Sequence, residues 1–166
     1  MSGAGAPDLA VDATGLRVAV IAGSWHEEIM SPLIDGAAEA LAAAGAAHDL
    51  YRVAGAFELP LAAQAALTPA NRGGGGYDAA VCLGVIIRGG TPHFDYVCNA
   101  VTDGLTRAQL DAGRPIGFGV LTTDDEQQAL DRSGRPGAPE SKGREAAEAA
   151  LHLAAAVRSI CDAGAA

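Results

Sequence analysis

Short runs of almost uninterrupted apolar residues constrain this chain most: Arg17–Ala22 (RVAVIA), Ala79–Ile87 (AAVCLGVII) and Pro115–Leu121 (PIGFGVL). A strand with one wet face alternates apolar and polar residues. A continuous run instead marks a strand covered on both faces, as in a parallel sheet. Parallel neighbours need crossover connections, and the segments between the runs have helical spacing. Ile29–Ala44 puts Leu33, Ile34, Ala37, Ala40 and Leu41 on one face, with Gly45 as its stop. Asp49–Val53 reads as a further strand and Glu58–Leu67 as a second helix. Thr91, as N-cap, and Pro92 open a third helix carrying Phe94, Val97, Cys98, Val101, Leu105 and Ala108.

A short helix near Asp125–Arg132 and a Gly/Pro-rich loop over Ser133–Glu140 follow. A final amphipathic helix over Ser141–Ala163 turns Ala147, Ala150, Leu151, Ala154 and Val157 inward. These elements predict an α/β fold, a three-layer α/β/α sandwich around a four-stranded parallel sheet, doubly wound and flavodoxin-like. The 166 residues suit one domain, expected over 16–166 after a loose leader over 1–15. Asn71–Gly76 (NRGGGG) is expected to be a flexible surface connection.

Hydrophobic residues make up 49% and charged ones 19%, enough to build a core and too few charges for a disordered chain. Much of the apolar share is alanine, and with 22 glycines this favours closely packed helices and sheet. Eleven Lys+Arg against twenty Asp+Glu leave a net charge of −9, which argues against a nucleic-acid partner. No apolar stretch approaches the ~20 residues of a membrane span. Met1–Gly15 also lacks the basic-then-apolar pattern of a signal peptide. Cys82, Cys98 and Cys161 are odd in number and far apart, so free thiols in a reducing cytoplasm are expected. His26, His48, His93 and His152 are dispersed, and no metal site is expected. Neither a phosphate-binding Gly-x-x-x-x-Gly-Lys loop nor a Gly-x-Ser-x-Gly elbow occurs.

Ligands of open α/β sheets bind beyond the carboxyl ends of the strands. There the chain places Ser24-Trp25-His26, then Gly55-Ala56-Phe57-Glu58, then Arg88-Gly89-Gly90-Thr91-Pro92-His93, and finally Leu121-Thr122-Thr123. Gly89-Gly90 before a helix start is either a plain tight turn or a phosphate site built from backbone amides. His93 is either a capping or surface histidine or a general acid/base beside that phosphate. Trp25 either packs in the core or stacks on a heterocycle. Glu58 either caps its helix or accepts hydrogen bonds from hydroxyls. Arg132 and Lys142, the sole lysine, are either solvated or supply cations for a phosphate.

Gly55–Pro60 (GAFELP), Gly84–Tyr96 (GVIIRGGTPHFDY), Gly119–Thr123 (GVLTT), Glu126–Arg132 (EQQALDR) and Lys142-Gly143 resemble the lumazine synthases in order and spacing. The resemblance runs from about Leu16 to the C-terminus. It implies condensation of 5-amino-6-(D-ribitylamino)uracil with 3,4-dihydroxy-2-butanone 4-phosphate to 6,7-dimethyl-8-ribityllumazine. The imine forms on the substrate's own amine, so no enzyme lysine, metal or organic cofactor is required.

By matching motif, the resemblance makes Trp25 the stacking residue and His93 the proton-transfer residue. It assigns Ala56, Phe57, Glu58, Val85, Ile86 and Ile87 to the pyrimidine ring and ribityl chain. Gly90 and Thr91 would hold the phosphate, while Phe118 and Arg132 would come from a neighbouring subunit, with Lys142 assisting. Position 25 is often Phe in the family, and position 90 often carries a longer side chain than Gly, so only the backbone role transfers there. The family builds its sites between subunits of a pentamer, and some members pack twelve pentamers into a shell. The longer, Pro-containing loop between Arg132 and Lys142 implies a homopentamer that stops there. A functional link to a riboflavin synthase, which consumes the product, also follows. Two rivals remain at this level: a riboflavin synthase of the same architecture, and a non-catalytic flavin or lumazine carrier.

Overall fold

The computed structural model describes residues 11–68 and 76–164. Four strands, β1 (Arg17–Gly23), β2 (Ala47–Val53), β3 (Ala79–Ile87) and β4 (Ile116–Thr123), form one sheet in the order β2-β1-β3-β4. All pairings are parallel, with Val18 opposite both His48 and Ala79, and Ala80 opposite Ile116. The expected three-layer, doubly wound α/β/α sandwich is therefore what the chain adopts. Its strands are one or two residues longer at some ends, and β3 has the predicted bounds.

Helices α1 (Glu27–Ala43) and α5 (Lys142–Ala163) cover one face, and α2 (Leu59–Leu67) and α3 (His93–Ala112) cover the other. The short α4 (Glu126–Leu130) follows β4. The chain winds one way from β1 to β2 and then back across β1 to β3 and β4. Helices fall on opposite faces because both crossovers keep the same hand while the direction along the sheet reverses. The reversal opens a crevice between the carboxyl ends of β1 and β3, the usual place for a ligand in such sheets.

Small residues set the spacing of the layers. A Cβ on Gly143 would sit 1.9 Å from the Leu33 carbonyl oxygen of α1, and one on Gly117 of β4 would meet the backbone of Ala146. Only glycine lets α5 lie this close to both α1 and the sheet. Between the layers Val18, Val20, Ile29, Met30, Leu33, Leu41, Leu83 and Leu151 are fully enclosed, at roughly 25 cal/mol per Å² of apolar surface removed from water.

Several boundaries differ from the sequence reading. Ala13 is buried and its amide donates to the Ala44 carbonyl at 2.8 Å, so the packed chain begins before Leu16. Residues 1–10 and most of the Asn71–Gly76 connection lie outside the described residues. Thr91 does not cap α3; Pro92 occupies the N-cap position with helical φ and no side chain caps the helix. The expected helix at Glu58 begins instead as a 3₁₀ turn over Ala56–Glu58. Val157 of α5 is only half-buried, whereas Ala147, Ala150 and Leu151 face the core as expected.

Candidate active site

Three strand exits build one cleft. At the end of β1 the Ser24 hydroxyl donates to the Val53 carbonyl at 2.8 Å, and the Ser24 amide reaches the Ala54 carbonyl. These bonds tie the β1 exit to the β2 exit. Trp25 follows, 70% exposed, and then His26 in the left-handed region (φ 59°, ψ 59°), the only described non-glycine residue with positive φ. That conformation is uncommon for a residue with a Cβ. It turns the chain sharply enough for the His26 carbonyl to accept from the amides of Ile29 and Met30 and start α1.

At the end of β2, Gly55 lies against the indole; a Cβ there would come within 3.4 Å of Trp25 Cδ1 and of Glu58 Oε2. Glu58 Oε2 accepts from the Gly55 amide at 2.8 Å, so one carboxylate oxygen folds the turn that carries it. The carboxylate thus closes the 3₁₀ turn rather than capping α2, at whose N-cap Glu58 makes no side-chain bond, and the turn presents it at the cleft. Gly84 of β3 lets this turn pack on the sheet, since a Cβ would meet Leu59 and Ala56 at 3.1 and 3.2 Å.

The cleft has a volume of about 490 Å³, within the range of small-molecule sites. Trp25, Ala56, Phe57 and Glu58 line it from one side. Val85, Ile86 and Ile87 form its floor at the end of β3, and Thr91 and His93 close it from the α3 side. All nine were singled out from the sequence. Gly89 lines the cleft where Gly90 does not, although the two are neighbours in one exposed turn. A Cβ on either glycine would meet nothing within 4 Å, so this turn has open space around its backbone.

His26, Phe94 and Val97 also line the cleft and were not assigned to it. Phe94 and Val97 looked like members of the buried stripe of α3. Their spacing carried a usable signal, because both sit within one turn of His93. His26 adjoins Trp25 but its orientation depends on a backbone conformation that spacing does not reveal.

Three sequence-assigned residues lie elsewhere. Phe118 projects from the edge strand β4, 46% exposed, opposite Cys82 in the register. Arg132 donates from Nη1 to the Gln128 carbonyl at 2.8 Å. Lys142 Nζ lies 2.7 Å from carboxylate oxygens of both Glu140 and Glu145. Burial works to lower the Lys142 pKa, but the hydrogen bonds to Glu140 and Glu145 outweigh it and hold the ammonium above its ordinary value. The backbone closes the intervening loop, with the Lys142 amide on the Arg132 carbonyl and a bridge between Ser133 and Ser141.

Outside the cleft, the Arg52 guanidinium meets Glu27 at 2.7 Å, and that hydrogen bond holds the Glu27 carboxyl below its ordinary range. The cleft itself therefore offers an exposed aromatic plane, a fixed carboxylate, an imidazole and a loop of accessible backbone amides. Such a set can stack a heterocycle, hold hydroxyls, accept an anion and move a proton.

The family model described as 6,7-dimethyl-8-ribityllumazine synthase matches residues 15–158. A 6,7-dimethyl-8-ribityllumazine synthase of Leifsonia xyli is 60% identical over 162 residues, covering 96% of this chain and 99% of that protein. The synthase of Clavibacter michiganensis is 58% identical, covering 96% of this chain and 98% of that one. The synthase of Streptomyces coelicolor is 54% identical, covering 98% of each. No described helix is long and apolar enough to cross a membrane. With the family model and these relatives in agreement, the chain belongs to the 6,7-dimethyl-8-ribityllumazine synthase family, transferase enzymes of riboflavin biosynthesis.

Proposed function

We propose that the chain condenses 5-amino-6-(D-ribitylamino)uracil with 3,4-dihydroxy-2-butanone 4-phosphate to give 6,7-dimethyl-8-ribityllumazine. The observation that carries this reading is the convergence of Trp25, Glu58 and His93 from three strand exits on one cleft. The pyrimidine stacks on Trp25, while Phe57, Glu58 and the backbone of Ala56 and Val85–Ile87 receive the ring edge and the ribityl hydroxyls. Amides of the Gly89–Thr91 turn and the Thr91 hydroxyl hold the phosphate, with Gly90 contributing backbone only.

The substrate amine attacks the ketone and water leaves to form an imine. Phosphate is then eliminated with loss of the adjacent C–H proton, the resulting enol tautomerises to a new ketone, and ring closure by the ribitylamino nitrogen on that ketone expels a second water. His93 takes protons from the attacking nitrogen and returns them to departing oxygens. Orientation of two bound reactants supplies the rest of the acceleration.

The working assembly in this reading is a homopentamer in which Phe118 and Arg132 complete a neighbour's cleft. It is supported by the place of these residues: neither lines the chain's own cleft, and Phe118 is exposed on an edge strand. Lys142, whose charge is matched by Glu140 and Glu145, has the smallest part in phosphate binding. Free thiols fit a cytoplasmic location; Cys82 is buried, and burial pushes its pKa up to about 12.

The test is direct. The purified protein is mixed with both substrates, and lumazine absorbance and released phosphate are followed together. Equal yields of the two are expected, and absence of both sinks the reading. Light scattering is expected to give five chain masses; sixty would overturn the pentamer.

A further inference from the structure

We infer that Arg88, which no cleft assignment includes, is a positioning residue that clamps the Gly89–Thr91 turn and the His93 end of α3 to the sheet. The inference rests on the reaction proposed above for its kinetic part and on geometry for the rest. The turn between Arg88 and Phe94 has little of its own to hold it. Its glycines have nothing within 4 Å where a Cβ would be, Thr91 and Pro92 are exposed, and no side chain caps α3. A phosphate loop of this kind must be fixed from its ends.

Arg88 reaches both ends. Its amide donates to the Thr123 carbonyl at 2.8 Å, extending the β3–β4 ladder one residue past Ile87. Its Nε donates to Asp124 Oδ1 at 2.8 Å, and its Nη1 reaches Asp95 Oδ1 at 3.3 Å in the first turn of α3. The guanidinium also stacks on Phe94, with Cζ 4.2 Å from the ring centroid. The far anchor is itself held, since the Asp124 amide donates to Gln128 Oε1 at 3.1 Å. One planar side chain thus joins the strand end, the corner after β4 and the two residues following His93.

The arrangement weighs against the obvious alternative, in which Arg88 is a spare cation waiting for phosphate. Its Nε and Nη1 are already directed at two carboxylates, and the Asp124 hydrogen bond raises its pKa further. Lysine cannot replace it fully, because an ammonium has neither the planar fork nor the stacking face. A misplacement of about 1 Å at a reacting centre can cost on the order of 10²-fold in rate.

Arg88→Gln, Arg88→Lys, Asp95→Asn and Asp124→Asn test the clamp in two independent ways. The first is hydrogen exchange of the unliganded protein. Peptides covering residues 89–95 are expected to exchange at least several-fold faster in Arg88→Gln, with the rest of the sheet unchanged. The second is steady-state kinetics with each substrate varied. Arg88→Gln is expected to lose about ten- to a hundred-fold in kcat/KM for the butanone phosphate, with the pyrimidine KM within about three-fold. Arg88→Lys should recover part of that loss.

Asp95→Asn and Asp124→Asn each remove one arm without removing the cation, and each should lower kcat/KM several-fold. They also serve if Arg88→Gln does not fold. An improvement on removing either carboxylate would mean that charge alone matters and would overturn the clamp. Unchanged exchange overturns it, and so does faster exchange with unaltered kinetics, which would leave only a structural tie. If the wild-type protein makes no lumazine, the proposed reaction fails and the exchange arm alone decides whether the clamp exists.

Discussion

The two faces of the sheet are built from the same kinds of residue but finished differently. Under α1 and α5, Ile29, Met30, Leu33 and Leu41 are wholly buried, and the large apolar side chains exposed on these two helices are Leu153 and Ile160, toward the C-terminal end of α5. Across the sheet, α2 and α3 bury Leu59, Leu67, Val101 and Leu105 yet leave Leu61, Tyr96 and Leu110 more than 70% exposed. The cleft opens at the end of this second face. A second apolar groove of about 510 Å³, lined by Ile21, Tyr51, Val53, Ala62 and Tyr77, opens beside it. The difference separates two tasks. The closed face carries the fold, at a packing so tight that glycine is required at Gly143 and Gly117. The open face is then left to bind, because stability does not depend on covering every apolar side chain it displays.

Substitutions of matched type break or sharpen that contrast. Leu33→Ala on the closed face is expected to cost about 2–5 kcal/mol in chemical denaturation, since a fully buried leucine leaves a cavity. A loss below about 1 kcal/mol would mean that the closed face can collapse and is not the scaffold. On the open face, His93→Ala is expected to lower turnover by about 10²-fold while the unfolding midpoint and product affinity by calorimetry stay put. Unchanged turnover would remove His93 from the mechanism.

Gly143→Ala should lower stability by about 1–3 kcal/mol, because the added methyl must push α5 away from the Leu33 carbonyl. In a chain of this size that is a fall of roughly 2–4 °C in melting temperature per kcal/mol. Leu61→Ala, the same chemical change as Leu33→Ala at an exposed position, should stay within about 0.5 kcal/mol. A larger loss that grows with protein concentration would show that a second copy covers Leu61.

The sequence revealed this architecture well where burial on both faces leaves a local mark. Ala79–Ile87 is apolar throughout because β3 lies at the centre of the sheet, and its bounds were read correctly. The edge strand β2, largely exposed, was found shorter than it is, because Ala47 and His48 carry no such mark. In the cleft, residue types at strand exits were sufficient to bring Trp25, Glu58 and His93 together. Details that depend on distant partners were not legible. Arg88 meets a carboxylate 36 residues away, whereas Lys142 is matched by its near neighbours Glu140 and Glu145, the latter at an i,i+3 helical spacing that the sequence does display. The N-terminus of α3 is not legible at Thr91, because a Thr-Pro pair suits a capped helix, whereas here Pro92 takes the N-cap position and no side chain caps the helix.

The placement of the sole tryptophan has an optical consequence. Trp25 is 70% exposed in the native chain and lines the cleft, so unfolding changes its solvent contact little while a stacked heterocycle changes it greatly. Intrinsic indole emission from this protein should therefore be a poor monitor of denaturation and a sensitive one of occupancy. Each chain carries one indole, and it is located where the chemistry is proposed to occur.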